Sequence, residues 1–187
     1  VRTAYAPGSL AADRCLTTLT PTLAGANFAN FGAQDEPEAQ MFVRWLRGHS
    51  LTDLRNEYGY QPEIDRLLPT AQFRYVDGAY TNDRKSRMGP IERSSPVVVT
   101  VPDERLEISA GYAQFAEDTK ARPTVIYTAT SDGMLRAINA DTREEVFSFV
   151  PASVAHRIGA TMQAHSTIID GPPFAEDTKA RPTVIYT

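Results

Sequence analysis

The stretch that most narrows what this chain can fold into is Pro123 to Pro151, PTVIYTATSDGMLRAINADTREEVFSFVP. Val125-Ile126-Tyr127-Thr128 is a β-branched and aromatic run, Asp132-Gly133 is a hairpin turn pair, and Met134 to Asn139 is a second apolar run. A second turn at Ala140-Asp141-Thr142-Arg143 leads into Val146-Phe147-Ser148-Phe149-Val150. In regular alternation Phe147 and Phe149 share one face of that strand, and Val146 and Val150 the other. Pro151 ends the pairing because it has no N–H to give to a ladder. Strand, tight turn, strand, tight turn, aromatic strand is how one antiparallel propeller blade is written, so the stretch predicts part of a β-propeller.

The same residues carry a family resemblance. SDGMLRAINADTREEVFSFVP is similar to the blade motif of the tip-associated adhesin and assembly proteins of bacterial type IV pili, the PilY family. There a strand leads into Asn-Asp-Gly-Met-Leu-His-Ala-Phe and then Thr-Gly-Glu-Glu; here Ser131, Arg136, Ile138 and Arg143 depart from the pattern. Arg143 stands where the family has a turn glycine, and a positive φ is strained for a residue with a Cβ. Flanking pieces extend the match in the same order: Phe42 to Gly48 (FVRWLRG), Met88 to Val97 (MGPIERSSPV) and Ile169 to Pro173 (IDGPP). The resemblance covers roughly Met41 to Pro173. Its specificity lies in several collinear motifs, any of which would be weak alone.

Length then sets a limit. At about 40 to 50 residues per blade, a chain of 187 residues is short for a closed propeller, and only one blade is legible. The sequence therefore reads as a portion of a longer protein, with any signal peptide removed or outside it, since Val1 is not followed by a charged and then apolar leader pattern. No apolar run approaches the roughly 20 residues that a membrane helix needs. A net charge of −4 with both signs interspersed disfavours a nucleic-acid surface, and the single cysteine, Cys15, has no internal partner for a disulfide.

The first 87 residues read as a connector region with one clear helix. Val1 to Gly32 is rich in Thr, Ala, Pro and Asn without a sustained period; Ser9 is placed to cap a short helix through about Leu16, and the rest is expected to be irregular. Phe28 and Phe31 suggest a stacking platform for bases, but no basic residue lies between Cys15 and Met41 to hold a phosphate, so packing is the better reading. Asp35 to Arg47 is the strongest helix: Asp35 is an N-cap with Glu38 in capping-box position, and Met41, Phe42, Trp45 and Leu46 form one apolar stripe. Arg47-Gly48-His49 lacks the acidic third residue of an integrin-binding triplet. Leu51 to Leu68 reads as a broken helix or ordered loop, and Asp77-Gly78 as the turn of a small hairpin. Arg84, Lys85, Arg87 and Arg93 form a basic cluster that could bind phosphate, but a solvated linker at Thr81 to Arg87 is the better reading.

Residues 88–173 are expected to form the first part of the propeller. Val97 to Val101, between Pro96 and Pro102, reads as a buried strand, and Asp103 to Arg122 as a surface loop. Ala152 to Ile158 suits a helical turn and Thr167-Ile168-Ile169 a short strand. Phe174 to Thr187 stands apart, because it repeats Phe115 to Thr128 without a change. Blade copies diverge at solvent-facing positions, so ordinary blade repetition does not explain it. The exact copy reads first as an artefact of sequence assignment and second as an appended strand, in which case Pro182 to Tyr186 would take the place of the next blade strand.

Nothing here spells catalysis. His49, His156 and His165 are scattered without a Cys or His at zinc spacing, Ser94-Ser95 has no nucleophile-elbow setting, and no Gly-rich phosphate loop occurs. Asp132, Asn139, Asp141 and Glu144 offer oxygens near two turns but do not follow calcium-loop spacing, and turn formation accounts for Asp132 and Asp141. No catalytic, cofactor-binding or metal residue is assigned. The resemblance associates the family with a calcium loop in the propeller, which is not found in this stretch and would lie elsewhere in a longer protein.

The resemblance implies a non-enzymatic component of the type IV pilus tip, secreted and held at the cell surface. It would act with minor pilins in assembly, oppose retraction, and contribute to adhesion to host or abiotic surfaces and to twitching motility. The alternatives are a quinoprotein dehydrogenase, which would need a stacking tryptophan and a calcium site on the propeller axis, and a generic propeller scaffold for protein interaction.

Overall fold

The computed structural model describes residues 3–5, 17–69, 72–102, 111–164, 174–176 and 184–186. Strands β1 (Thr3–Tyr5) and β2 (Thr17–Thr18) precede a helical stretch: α1 (Pro21–Ala26), a 3-10 turn (Phe28–Phe31), α2 (Glu36–Leu46), α3 (Leu51–Asn56) and α4 (Gln61–Leu67). A small hairpin, β3 (Tyr75–Val76) and β4 (Ala79–Tyr80), turns at Asp77-Gly78 as expected. Then come β5 (Val97–Val99), α5 (Tyr112–Thr119), β6 (Val125–Thr130), β7 (Met134–Asn139), β8 (Glu145–Val150), α6 (Ala152–Ala155), α7 (Ile158–Gln163), β9 (Phe174–Glu176) and β10 (Val184–Tyr186).

The expectation of a mainly β chain with an irregular first half needs correction: helices and antiparallel strands are mixed, and residues 21–67 are largely helical. Local caps explain this. Thr20 Oγ1 accepts the Leu23 N–H at 3.1 Å with Pro21 opening α1, and Ser50 and Asp53 close a reciprocal capping box on α3. On α2, Asp35 Oδ1 accepts the Glu38 N–H at 3.0 Å, while the Glu38 carboxylate accepts from Gln34 at 2.7 Å, one residue earlier than a capping box places it. Met41, Phe42, Trp45 and Leu46 are all buried, so the predicted stripe is the packed face of α2. Part of the expected 103–122 loop is helix α5, and the Ser9–Leu16 helix, Cys15, His165 and the 167–169 strand lie outside the described residues.

The caps titrate. Arg66 and the Glu38 N–H hold the Asp35 carboxyl below its ordinary value, and the Ser50 N–H does the same for Asp53. A depressed carboxyl stabilises the fold above its unfolded value, about 3.9, and that contribution fades as the pH falls through the lower folded value. Helicity followed by circular dichroism from pH 5 to 2 should therefore fall, and the Asp35→Asn/Asp53→Asn protein, which keeps its cap acceptors, should show a shallower acid transition. An unchanged transition would remove these two caps from the acid response.

The sheet order is β2-β1-β8-β7-β6-β5, and β5 to β8 form a four-stranded antiparallel meander with β1 added parallel to β8. No strand of the described residues closes this sheet into a barrel. The expected buried strand at Val97 to Val101 is instead the edge strand β5, with Val98 57% exposed, because among the described residues only β6 pairs with it. Between β7 and β8 the register slips: Ala137 faces Phe147 while Ile138 faces Glu145, so Val146 is an extra residue, a β-bulge. The bulge reverses the alternation. Val146 is therefore exposed while Val150 is buried, and Glu145 comes to the same face as Ser148 and Arg136.

One face of the meander carries Met134 and Val150 into the main core, where they meet Phe31, Phe42, Leu46, Ile158 and Met162. That core takes residues from both sides of position 87. The opposite face holds a second, smaller cluster of Tyr127, Leu135 and Ala137 with partly buried Val99, Val125, Phe147 and Phe149. Phe31 is fully buried and Phe28 is not, so the expected packing role falls to Phe31 alone.

The β7–β8 turn shows the cost of the missing glycine. Asn139 Oδ1 accepts the N–H groups of Asp141 and Thr142, and Arg143 follows with φ +61°. A left-handed residue with a Cβ costs about 1–2 kcal/mol, against roughly 0.5–1 kcal/mol of extra chain entropy for glycine. Arg143→Gly should therefore stabilise the protein by about 0.5 kcal/mol, seen as a melting temperature raised by roughly 1–2 °C; a lower melting temperature would contradict the strain.

Among the described residues, β9 and β10 pair only with each other, in a separate two-stranded sheet. Val184–Tyr186 is thus a strand, but it does not join the meander.

Candidate functional site

The site is built where the helical half meets the β6–β7 turn. Trp45 at the end of α2, residues Arg84 to Pro90, the turn residues Ser131 and Asp132, and Thr161 of α7 enclose a pocket of about 290 Å³. Two hydrogen bonds hold the 84–90 segment to the turn: Ser131 N–H donates to the Pro90 carbonyl at 2.9 Å, and Gly89 N–H donates to the side-chain Oδ2 of Asp132 at 3.0 Å. A Cβ on Gly89 would stand 2.7 Å from Asp132 Cγ, so the approach requires glycine.

Behind the turn lies a buried ionic network. Arg136 donates to Asp132 at 2.8 Å and to Glu145 at 2.7 Å, and Ser148 donates to the other Glu145 oxygen at 2.6 Å. Thr130 Oγ1 hydrogen-bonds the remaining Asp132 oxygen. Asp132 and Arg136 are only 3% and 4% exposed, so each charge depends on its partner rather than on water.

On the pocket's other wall, the Arg84 guanidinium lies 4.5 Å from the Trp45 ring centroid and donates to the carbonyls of Trp45 at 2.5 Å and Ser86 at 2.7 Å. Burial holds its pKa below the usual guanidinium range; Asp132 opposes that and Arg136 adds to it. Asp83, next to it, accepts the N–H groups of Leu51 and Thr52 at the start of α3. The solvated-linker reading of Thr81 to Arg87 is therefore corrected at Asp83 and Arg84, which are tied into the helical half, while Thr81, Asn82, Lys85, Ser86 and Arg87 are exposed.

Other sequence candidates have structural employment. Ser94 Oγ accepts the Ala129 N–H at 3.0 Å, Asn139 serves its own turn, His49 packs edge-on to Tyr58 at 5.1 Å, and the His156 carbonyl abuts Gly32. Arg47 donates to the Leu19 carbonyl at 2.6 Å. Among the described residues no group of His, Cys, Asp and Glu is arranged to hold a metal ion. A second pocket, of about 370 Å³, is lined by Asp65, Phe73, Arg74, Tyr75, Val76 and Tyr80; there Arg55 already covers the Tyr75 ring at 3.7 Å. Trp45 does line the main pocket, but Arg84 stacks on its ring, the place a quinone would need.

Sequence reasoning missed the pairing of Arg84 with Trp45 and that of Asp132 with Arg136 and Glu145. One signal was present: a charged residue inside the apolar run Met134-Leu135-Arg136-Ala137-Ile138, with an acid four residues before it.

Over 103 residues, 50% of this chain, the sequence is 37% identical to a type IV pilus biogenesis factor PilY1 homolog of Xylella fastidiosa (strain Temecula1 / ATCC 700964). The chain spans about 8% of that relative's length. No family model and no solved structure matches it. Among the described residues, no helix is long and apolar enough to cross a membrane.

Proposed function

We propose that this PilY-like chain is part of a non-enzymatic type IV pilus biogenesis factor, secreted to the cell surface and carried at the pilus tip. There it joins minor pilins, promotes assembly against retraction, and presents an adhesive surface to host or abiotic material. The observation that carries this reading is the 37% identity to the PilY1 homolog. The fold supports it: the four-stranded antiparallel meander β5 to β8 has apolar residues on both faces, as a blade between neighbours requires. We read residues 88–173 as the first part of a propeller and residues 1–87 as the connector to partners. No cofactor is assigned to this segment, and any calcium loop belongs elsewhere in the longer protein.

Deleting the gene in its source bacterium should remove surface pili and twitching, counted by electron microscopy and colony spreading. Pili should return when the retraction motor is also deleted. Normal piliation and twitching in the deletion strain would overturn the proposal.

A further inference from the structure

The pocket between Trp45 and the β6–β7 turn has an unbalanced charge and a defined size. Among the described residues its one lining carboxylate, Asp132, is engaged by Arg136 and the Gly89 N–H. Arg84 uses Nε and Nη1 on backbone carbonyls, and its Nη2 has no hydrogen-bond partner among the described residues. Lys85, on the same pocket and exposed, has no ion partner among them either. The charge left unmatched at this opening is positive.

The walls between these cations are apolar: the Trp45 indole, Met88 and Pro90. A volume of about 290 Å³ falls just below the range of roughly 300–1,000 Å³ that encloses small-molecule ligands. It suits one or two side chains of a peptide better than a whole cofactor. A half-buried guanidinium such as that of Arg84 gains more from a carboxylate than an exposed one, because the pair forms in a medium less polar than water.

We propose that this pocket anchors an acidic, extended segment of a partner protein, with its carboxylate meeting Arg84 and Lys85 and the adjacent apolar side chain resting on Trp45, Met88 and Pro90. The inference stands on the pocket's chemistry and does not depend on the pilus reading.

Trp45 is the single tryptophan of the sequence, so its fluorescence reports on this pocket directly. The chain is titrated with the blocked pentapeptide Leu-Asp-Leu-Glu-Leu, with its counterpart carrying lysine at both acidic positions, and with inorganic phosphate. A saturable change in tryptophan emission is expected with the acidic peptide alone. Lys85→Glu, at an exposed position that leaves the core untouched, should weaken binding about tenfold; circular dichroism checks that the variant is folded. No emission change up to millimolar peptide, equal response to the lysine peptide, undiminished binding by Lys85→Glu, or equal saturation by phosphate would each overturn the proposal, the last by reassigning the pocket to small anions.

Discussion

Asp132→Ala is expected to destabilise the protein by about 3–5 kcal/mol, the cost of leaving a buried charge without its partner. The substitution strands the Arg136 guanidinium, 4% exposed, and removes the acceptor of the Gly89 N–H. Glu145 remains to Arg136 at 2.7 Å, but its side chain is 20% exposed and sits on the far side of the guanidinium. Such a loss is a large share of the 5–15 kcal/mol that holds a domain together. Urea unfolding of Asp132→Ala, Arg136→Met and the double variant measures the coupling. Neutralising both ends of a buried pair is far less costly than removing one, so the double variant should be more stable than the sum of the singles predicts by at least about 1 kcal/mol. Additivity within about 0.5 kcal/mol would mean that the two charges do not depend on each other.

The second large effect is expected at Gly32. Its φ is +65°, and a Cβ there would stand 2.4 Å from the His156 carbonyl oxygen. Gly32→Ala combines a left-handed backbone cost of about 1–2 kcal/mol with an overpacking cost of about 1–3 kcal/mol, since the obstacle is backbone and cannot rotate away. Gly59 supplies the control: φ is +75° with nothing within 4 Å of its Cβ position, so Gly59→Ala carries the backbone cost alone. Thermal unfolding should place Gly32→Ala well below Gly59→Ala. Equal melting temperatures would show that the 3-10 turn does not press against the start of the α6–α7 connection.

The parts legible in the sequence were those decided by neighbours along the chain. The cap of α2, its apolar stripe, the Asp77-Gly78 hairpin and the two turns of the meander follow from capping chemistry, periodicity and turn residues. The helices of residues 21–67 were harder to read, because α1, α3 and α4 are six or seven residues long, too short for a periodic pattern. The pocket was not legible at all. Trp45, Arg84 and Asp132 are far apart in sequence, and only the packing of helix against sheet brings them together.

The duplicated segment separates the two kinds of information most sharply. Val125-Ile126-Tyr127 and Val184-Ile185-Tyr186 are identical and both are strands, because β-branched and aromatic side chains favour extended backbone wherever they stand. Phe115-Ala116-Glu117 and Phe174-Ala175-Glu176 are also identical, yet the first lies in helix α5 and the second in strand β9. Residue type alone settled the β-branched half, whose local preference is strong. For the other half the preference is weak, and the partner decided: in β9 the backbone groups are taken by β10, while in α5 they bond within their own helix.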